Sequence, residues 1–186
     1  MTLFYYIASN RELPIGSFGQ KKTVMTLNHY VTHVNPVAKD HPSMQILLAK
    51  YPEGDKRMEI YETEEDAAGL YIIGPIHIQD SSNIFRNPLV YQVNSEGGSF
   101  QINNEMKRSL PTYYQTSKKC LSELFAYLGR NVEIGEELEL YCCWAHGKER
   151  FLEAPNKELN LALELSTFRF DDEFEWKERQ YISIKK

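Results

Sequence analysis

The sequence predicts an α+β fold: a mostly antiparallel β-sheet with a few short helices and one longer helix near 112–128. Three observations carry this. Twelve tyrosines and nine phenylalanines favour pleated, half-buried surfaces. Two runs alternate apolar residues with a period of two, ELELYCCW (137–144) and ELNLALEL (158–165). Leu138, Leu140, Cys142 and Trp144 share one face of the first, and Leu159, Leu161, Leu163 and Leu165 one face of the second. By contrast, Leu121, Leu124, Phe125 and Leu128 recur at helical spacing, with Gly129 where a C-terminal cap belongs.

Taken in order, TLFYYIA (2–8) reads as an opening strand, and Pro14, Gly16 and Gly19 break regular structure in the loop that follows. Residues 24–34 fit either element. As a helix they align Val24, Leu27, Val31 and Val34 with Asn35 and Pro36 as a stop; as a strand they offer β-branched alternation, which is the expectation adopted here. Ser43 caps a short helix through Lys50, MEIYE (58–62) is a strand, and Thr63 with Asp66 starts a short helix ending at Gly69. LYIIGPIHI (70–78) and LVYQV (89–93) are further strands, and SEGGS (95–99) is a turn leading to FQINN (100–104). At the C-terminus, Asp171 and Asp172 are expected to form the bend of an antiparallel hairpin between the 158–165 run and FEWKERQYISI (174–184).

The chain of 186 residues suits one domain, 1–186, with 103–112 the least unfavourable place for a division. A net charge of −5 argues against binding a nucleic-acid backbone and favours a basic protein partner. Three cysteines without repeating spacing, no basic leader and no long apolar run point to a reducing, cytoplasmic setting without a membrane partner.

His29, His33 and His41 lie close together in sequence and raise the question of a metal. On a strand, four residues span about 13 Å, too far for His29 and His33 to share one ion, so no metal and no cofactor are expected. Cys142 and Cys143 are adjacent and point to opposite faces, Cys142 into the core with Leu140, and His146 nearby in sequence adds no dyad. IGSFGQKKT (15–23) has glycines, lysines and a threonine without the spacing of a P-loop. Its cations, Lys21 and Lys22, together with Arg11, are candidate ligands for a phosphorylated group.

Arg11 after the first strand, the pair Ser166–Thr167, and Glu173 and Glu175 before the last strand are three fragments that resemble the ADP-ribosyltransferases. That resemblance implies a ribose-binding role for the last glutamate. Thr167 and Glu173 are separated by only five residues, where that family has a further strand and a long loop, so the chain is not assigned to it.

The function expected is a non-enzymatic binding or protein-interaction module with an acidic surface, of which toxin-neutralising immunity proteins are one example. Its acidic runs are Glu62, Glu64, Glu65, Asp66 and Asp171, Asp172, Glu173, with tyrosines and tryptophans as anchors. The alternative is an enzyme acting on a nucleotide-like or phosphorylated small ligand through the 11–23 loop, with Arg11, Lys21, Lys22, Glu173 and Glu175 as the binding residues. No local motif decides between a catalyst and a binder.

Overall fold

A computed structural model describes residues 3–78, 81–144 and 153–186; His146 lies outside them. In chain order come β1 (Leu3–Ser9), β2 (Gly16–Phe18), β3 (Thr23–Thr26), α1 (Leu27–His29), α2 (Pro42–Lys50), β4 (Arg57–Ile60) and α3 (Glu64–Ala67). They are followed by β5 (Gly69–Ile76), β6 (Leu89–Glu96), β7 (Gln101–Ile102), α4 (Asn104–Ser109) and α5 (Pro111–Asn131). The chain ends with β8 (Glu137–Trp144), β9 (Leu161–Glu164), β10 (Phe174–Glu175) and β11 (Tyr181–Lys185). The fold is α+β, and its elements form two compact units, 21–67 and the remainder.

The larger unit is built on a seven-stranded sheet of order β2-β5-β6-β1-β8-β11-β9. All its pairings are antiparallel except that of β9 with β11. Alternation along the strands sorts side chains onto two faces. Ile7, Tyr91, Val93, Leu138, Leu140 and Cys142 face the core that α5 covers with Cys120, Leu121, Leu124, Tyr127 and Leu128. Tyr6, Ala8, Val90, Tyr141 and Cys143 face the other way, against Ile78 and Phe85. The two adjacent cysteines therefore lie on opposite faces, as their position on a strand requires.

That second face carries a buried carboxylate. Glu139, 1% exposed, stands on β8 opposite Ala8 and Ser183. It accepts the backbone N–H groups of Arg86 (3.0 Å) and Asn87 (2.7 Å) and the hydroxyl of Tyr181. Burial, reinforced by that hydrogen bond, pushes the Tyr181 phenol up to about 12. Asn87 Nδ2 in turn donates to the Glu137 carbonyl at 2.8 Å, so the 86–87 backbone is fastened to the middle of the sheet.

Three local expectations are corrected. The 11–23 loop is not wholly irregular: Gly16–Phe18 forms β2, which pairs with β5, while Gly16 and Gly19 take positive φ values of 109° and 81° at its two ends. The final stretch is not a hairpin. β9 joins β11 in parallel, which needs a long crossover, and within that crossover β10 pairs with β7 instead. Asp172 is drawn to Lys107, Lys118 (2.9 Å) and the Tyr114 hydroxyl (3.0 Å), which fixes the supposed bend against α4 and α5. Finally, α5 does not stop at Gly129 but continues to Asn131.

The smaller unit, 21–67, pairs β3 with β4 antiparallel. Here the expectation of a strand across 24–34 holds only to Thr26. The Thr26 side chain accepts the His29 backbone N–H at 3.2 Å and so starts a helix. Leu27 and Val31, four apart, are buried at 0% and 1% exposure, the period of a helix and not of a strand. α1 passes into a π-helical turn, Tyr30–Val34, closed by the Asn35 N–H on the Tyr30 carbonyl (2.8 Å) before Pro36 ends the helix. The helix at 64–67 is capped as its sequence predicts, with the Asp66 N–H on Thr63 Oγ1 at 3.0 Å.

Two outcomes follow from this packing. Glu139→Ala leaves two backbone donors and a phenol without their acceptor and lowers stability by about 3 kcal/mol in urea unfolding; an unchanged midpoint contradicts the network. Burial pushes the Cys120 and Cys143 thiols up to about 11 and Cys142 higher still. All three therefore resist a thiol reagent at about pH 8 in the native protein and react once it is unfolded.

Candidate functional site

The outer shoulder of α5 meets the crossover between β9 and β11 at a cluster of phenylalanines. Phe125 and Leu128 leave the helix at neighbouring angles; Leu128 is fully buried, and Phe125, partly buried, packs against the edge of the core. Around it stand Phe168 (ring centres 4.7 Å apart), Phe170 (5.6 Å) and Phe174 (5.6 Å). Phe125, Gly129, Leu165, Phe168, Arg169 and Phe170 line a cleft of about 290 Å³. Its walls are apolar and aromatic, with the Arg169 guanidinium the one ionic group among the lining side chains.

The crossover is held in place on both sides of these rings. The Leu165 N–H donates to the Lys185 carbonyl (2.9 Å), and the Thr167 and Phe168 N–H groups to the Glu164 carbonyl (3.1 and 2.8 Å). Beyond Phe170, the hydrogen bonds from Lys107, Lys118 and Tyr114 hold the Asp172 carboxyl well below the usual carboxylate range. Glu173 accepts from Asn104 Nδ2 at 2.8 Å. The phenylalanines are thus carried on an irregular segment with fixed ends, as binding residues on loops commonly are.

Gly129 is the informative residue. A glycine inside a helix costs about 0.5–1 kcal/mol relative to alanine, so one at this position calls for a reason. Sterics give none: a Cβ at Gly129 has no heavy atom within 4 Å, and the residue is helical without positive φ. Gly129 lines the cleft, the space beside its Cα is open, and its carbonyl accepts from Lys186 Nζ at 3.0 Å.

The residues expected to bind a phosphorylated ligand take other places. Arg11 Nη1 pairs with Glu133 (2.6 Å), its Nε with Glu136 (3.1 Å), and its Nη2 donates to the Asn131 carbonyl (2.7 Å). Its charge is offset by two carboxylates, and it ties β1's exit to the end of α5. Lys22, just before β3, pairs with Glu59 on β4 at 2.9 Å, and Lys21 is exposed beside it. Glu173 is bonded to Asn104, and Glu175 is exposed on β10. Neither Arg11, Lys21, Lys22, Glu173 nor Glu175 lines the phenylalanine cleft.

No family model, curated protein or solved structure matches the chain. Among the described residues no helix is long and apolar enough to cross a membrane. Among them, too, no group of three or more His, Cys, Asp or Glu side chains is placed to hold a metal ion.

A second cleft, of about 370 Å³, lies within the 21–67 unit between Tyr30, Asn35, Val37, Ala38, His41, Ser43 and Met44. His41 Nδ1 and Ser43 Oγ are hydrogen-bonded there at 2.7 Å. His29 and His33, now on one helical face, stand with ring centres 5.0 Å apart.

Sequence reading missed the phenylalanine cleft because Phe168 and Phe170 belong to no periodic run and Phe125 reads as one more core residue of α5. The signal in the sequence is Gly129, which there reads as a helix cap. Its test is simple: Gly129→Ala raises stability by about 0.5 kcal/mol in urea or thermal unfolding, because helix propensity improves and nothing clashes. A clear loss of stability contradicts an open cleft floor.

Proposed function

We propose that the protein is a non-enzymatic protein-binding module that takes one bulky apolar side chain of a partner into the cleft formed by Phe125, Phe168, Phe170 and Gly129. The observation that carries this reading is the cleft lined by the Phe125, Phe168 and Phe170 rings, one wall of which, at Gly129, carries no side chain. Half-exposed rings around a small apolar recess are the usual seat of an interface anchor. At about 290 Å³ the recess lies at the lower end of the roughly 300–1,000 Å³ typical of small-ligand sites, and it lacks the convergent polar groups that orient a substrate.

Charge points to the flanks of that partner segment. Glu164 precedes the cleft segment and Asp171 follows it, both exposed, while Arg169 lies within it and Lys186 Nζ donates to the Gly129 carbonyl at 3.0 Å, so the acidic groups stand at the flanks and the cations at the centre. A recognition segment with an aromatic or leucine anchor between lysines or arginines complements this pattern. Capture of a cationic protein, as a toxin-neutralising protein performs, is one use of such a surface.

A displayed library of random peptides tests the reading. Selection on the wild-type protein enriches sequences with a bulky apolar residue flanked by basic ones. Gly129→Leu, which fills the recess without a backbone clash, binds them tenfold more weakly or worse, about 1.4 kcal/mol, while unfolding no earlier than the wild type. Failure to enrich such sequences, or equal binding by Gly129→Leu, overturns it.

A further inference from the structure

We propose that His29 and His33 form a two-imidazole chelate for a divalent transition-metal ion of the copper, nickel or zinc type. Nothing in the phenylalanine cleft bears on this site, which belongs to the 21–67 unit. The expectation against a shared ion rested on a strand, and the helix that begins at Thr26 removes it: the two histidines stand one turn apart on an exposed face. Their ring centres are 5.0 Å apart with the planes inclined at 44°.

The separation of the ring centres falls within the range a shared ion allows. With metal–nitrogen bonds of about 2 Å and each ligating nitrogen ~1.2 Å from its ring centre, two imidazoles on one tetrahedral or octahedral ion have centres roughly 4.5–5.2 Å apart. Imidazole is the ligand that copper, nickel and zinc prefer among the side chains available there.

The local backbone supplies a second, independent pointer. His33 sits within a single π-helical turn, 30–34, closed by the Asn35 N–H on the Tyr30 carbonyl at 2.8 Å. Such turns are rare and recur at functional sites. Leu27 and Val31 are buried, and Thr32 Oγ1 donates to Asn28 Oδ1 at 3.2 Å, so the turn that presents the imidazoles is braced on both flanks. Two protein ligands leave the remaining coordination positions to water or to donor atoms of another molecule.

Titration of the full chain with copper(II), nickel(II) and zinc(II) chlorides, followed by calorimetry and by NMR of the imidazole resonances, tests the assignment. One ion binds per chain at this pair, copper tightest, and copper(II) broadens the His29 and His33 signals before those of other histidines. His29→Ala and His33→Ala each weaken that event tenfold or more and to the same level as the double variant, because losing either ring destroys the chelate. His41→Ala leaves it unchanged. Both rings are exposed, so far-UV circular dichroism of the variants matches the wild type and a lost site is not a lost fold. Binding that survives in either single variant, that falls by independent halves, or that broadens other histidines first overturns the proposal.

Discussion

The larger unit depends on one arrangement, a single long helix laid across one face of a mostly antiparallel sheet. Among the described elements only α5 has the length and the apolar stripe to cover that face, and its Cys120, Leu121, Leu124, Tyr127 and Leu128 are all buried there. Burying several such side chains, at about 1.5–3 kcal/mol each, is the largest favourable term available to the unit. The position of everything else follows. Pro14's carbonyl is held by the Tyr127 hydroxyl at 2.7 Å, Arg11 is tied to Asn131, and the crossover after β9 is pinned through Asp172 to Lys118 on the same helix. The cleft lies along the flank of α5 that the core leaves over.

The opposite face is organised by charge and hydrogen bonds around Glu139. A carboxylate in that setting is tolerable only when its oxygens are occupied, and here two backbone amides and a phenol occupy them. The cost of burying it is offset by anchoring a connection that brings Ile78 and Phe85 over Tyr6 and Tyr141. The sheet thus holds an apolar layer on one side and a smaller, polar-stapled layer on the other.

Much of this was legible in the residues, where side-chain period alone decides the answer. The alternation of 137–144 placed Leu138, Leu140 and Cys142 inward and separated Cys142 from Cys143, because a strand leaves no other choice. The helix near 112–128 followed from its leucines. Features that depend on distant partners were not legible. ELNLALEL alternates whichever way its strand runs, so nothing local told that β9 lies parallel to β11. For 24–34 both periods fitted, and the decision fell to a single cap, Thr26 on His29. Phe168 and Phe170 stand beside Phe125 on a crossover whose far end is fixed where Lys107, Lys118 and Tyr114 capture Asp172.

The functional account comes down to whether an aromatic recess beside Gly129 receives a partner's apolar side chain. Fluorine NMR of protein labelled with fluorophenylalanine reads this directly, since nine phenylalanines give few enough signals to assign. On titration with 4-methylphenol, an isolated ring of the size the recess holds, the resonances of Phe125, Phe168 and Phe170 move together and saturate, while those of Phe85 and Phe100 stay still. Stationary Phe125, Phe168 and Phe170 signals up to the solubility limit, or equal movement across all the phenylalanines, would contradict the account.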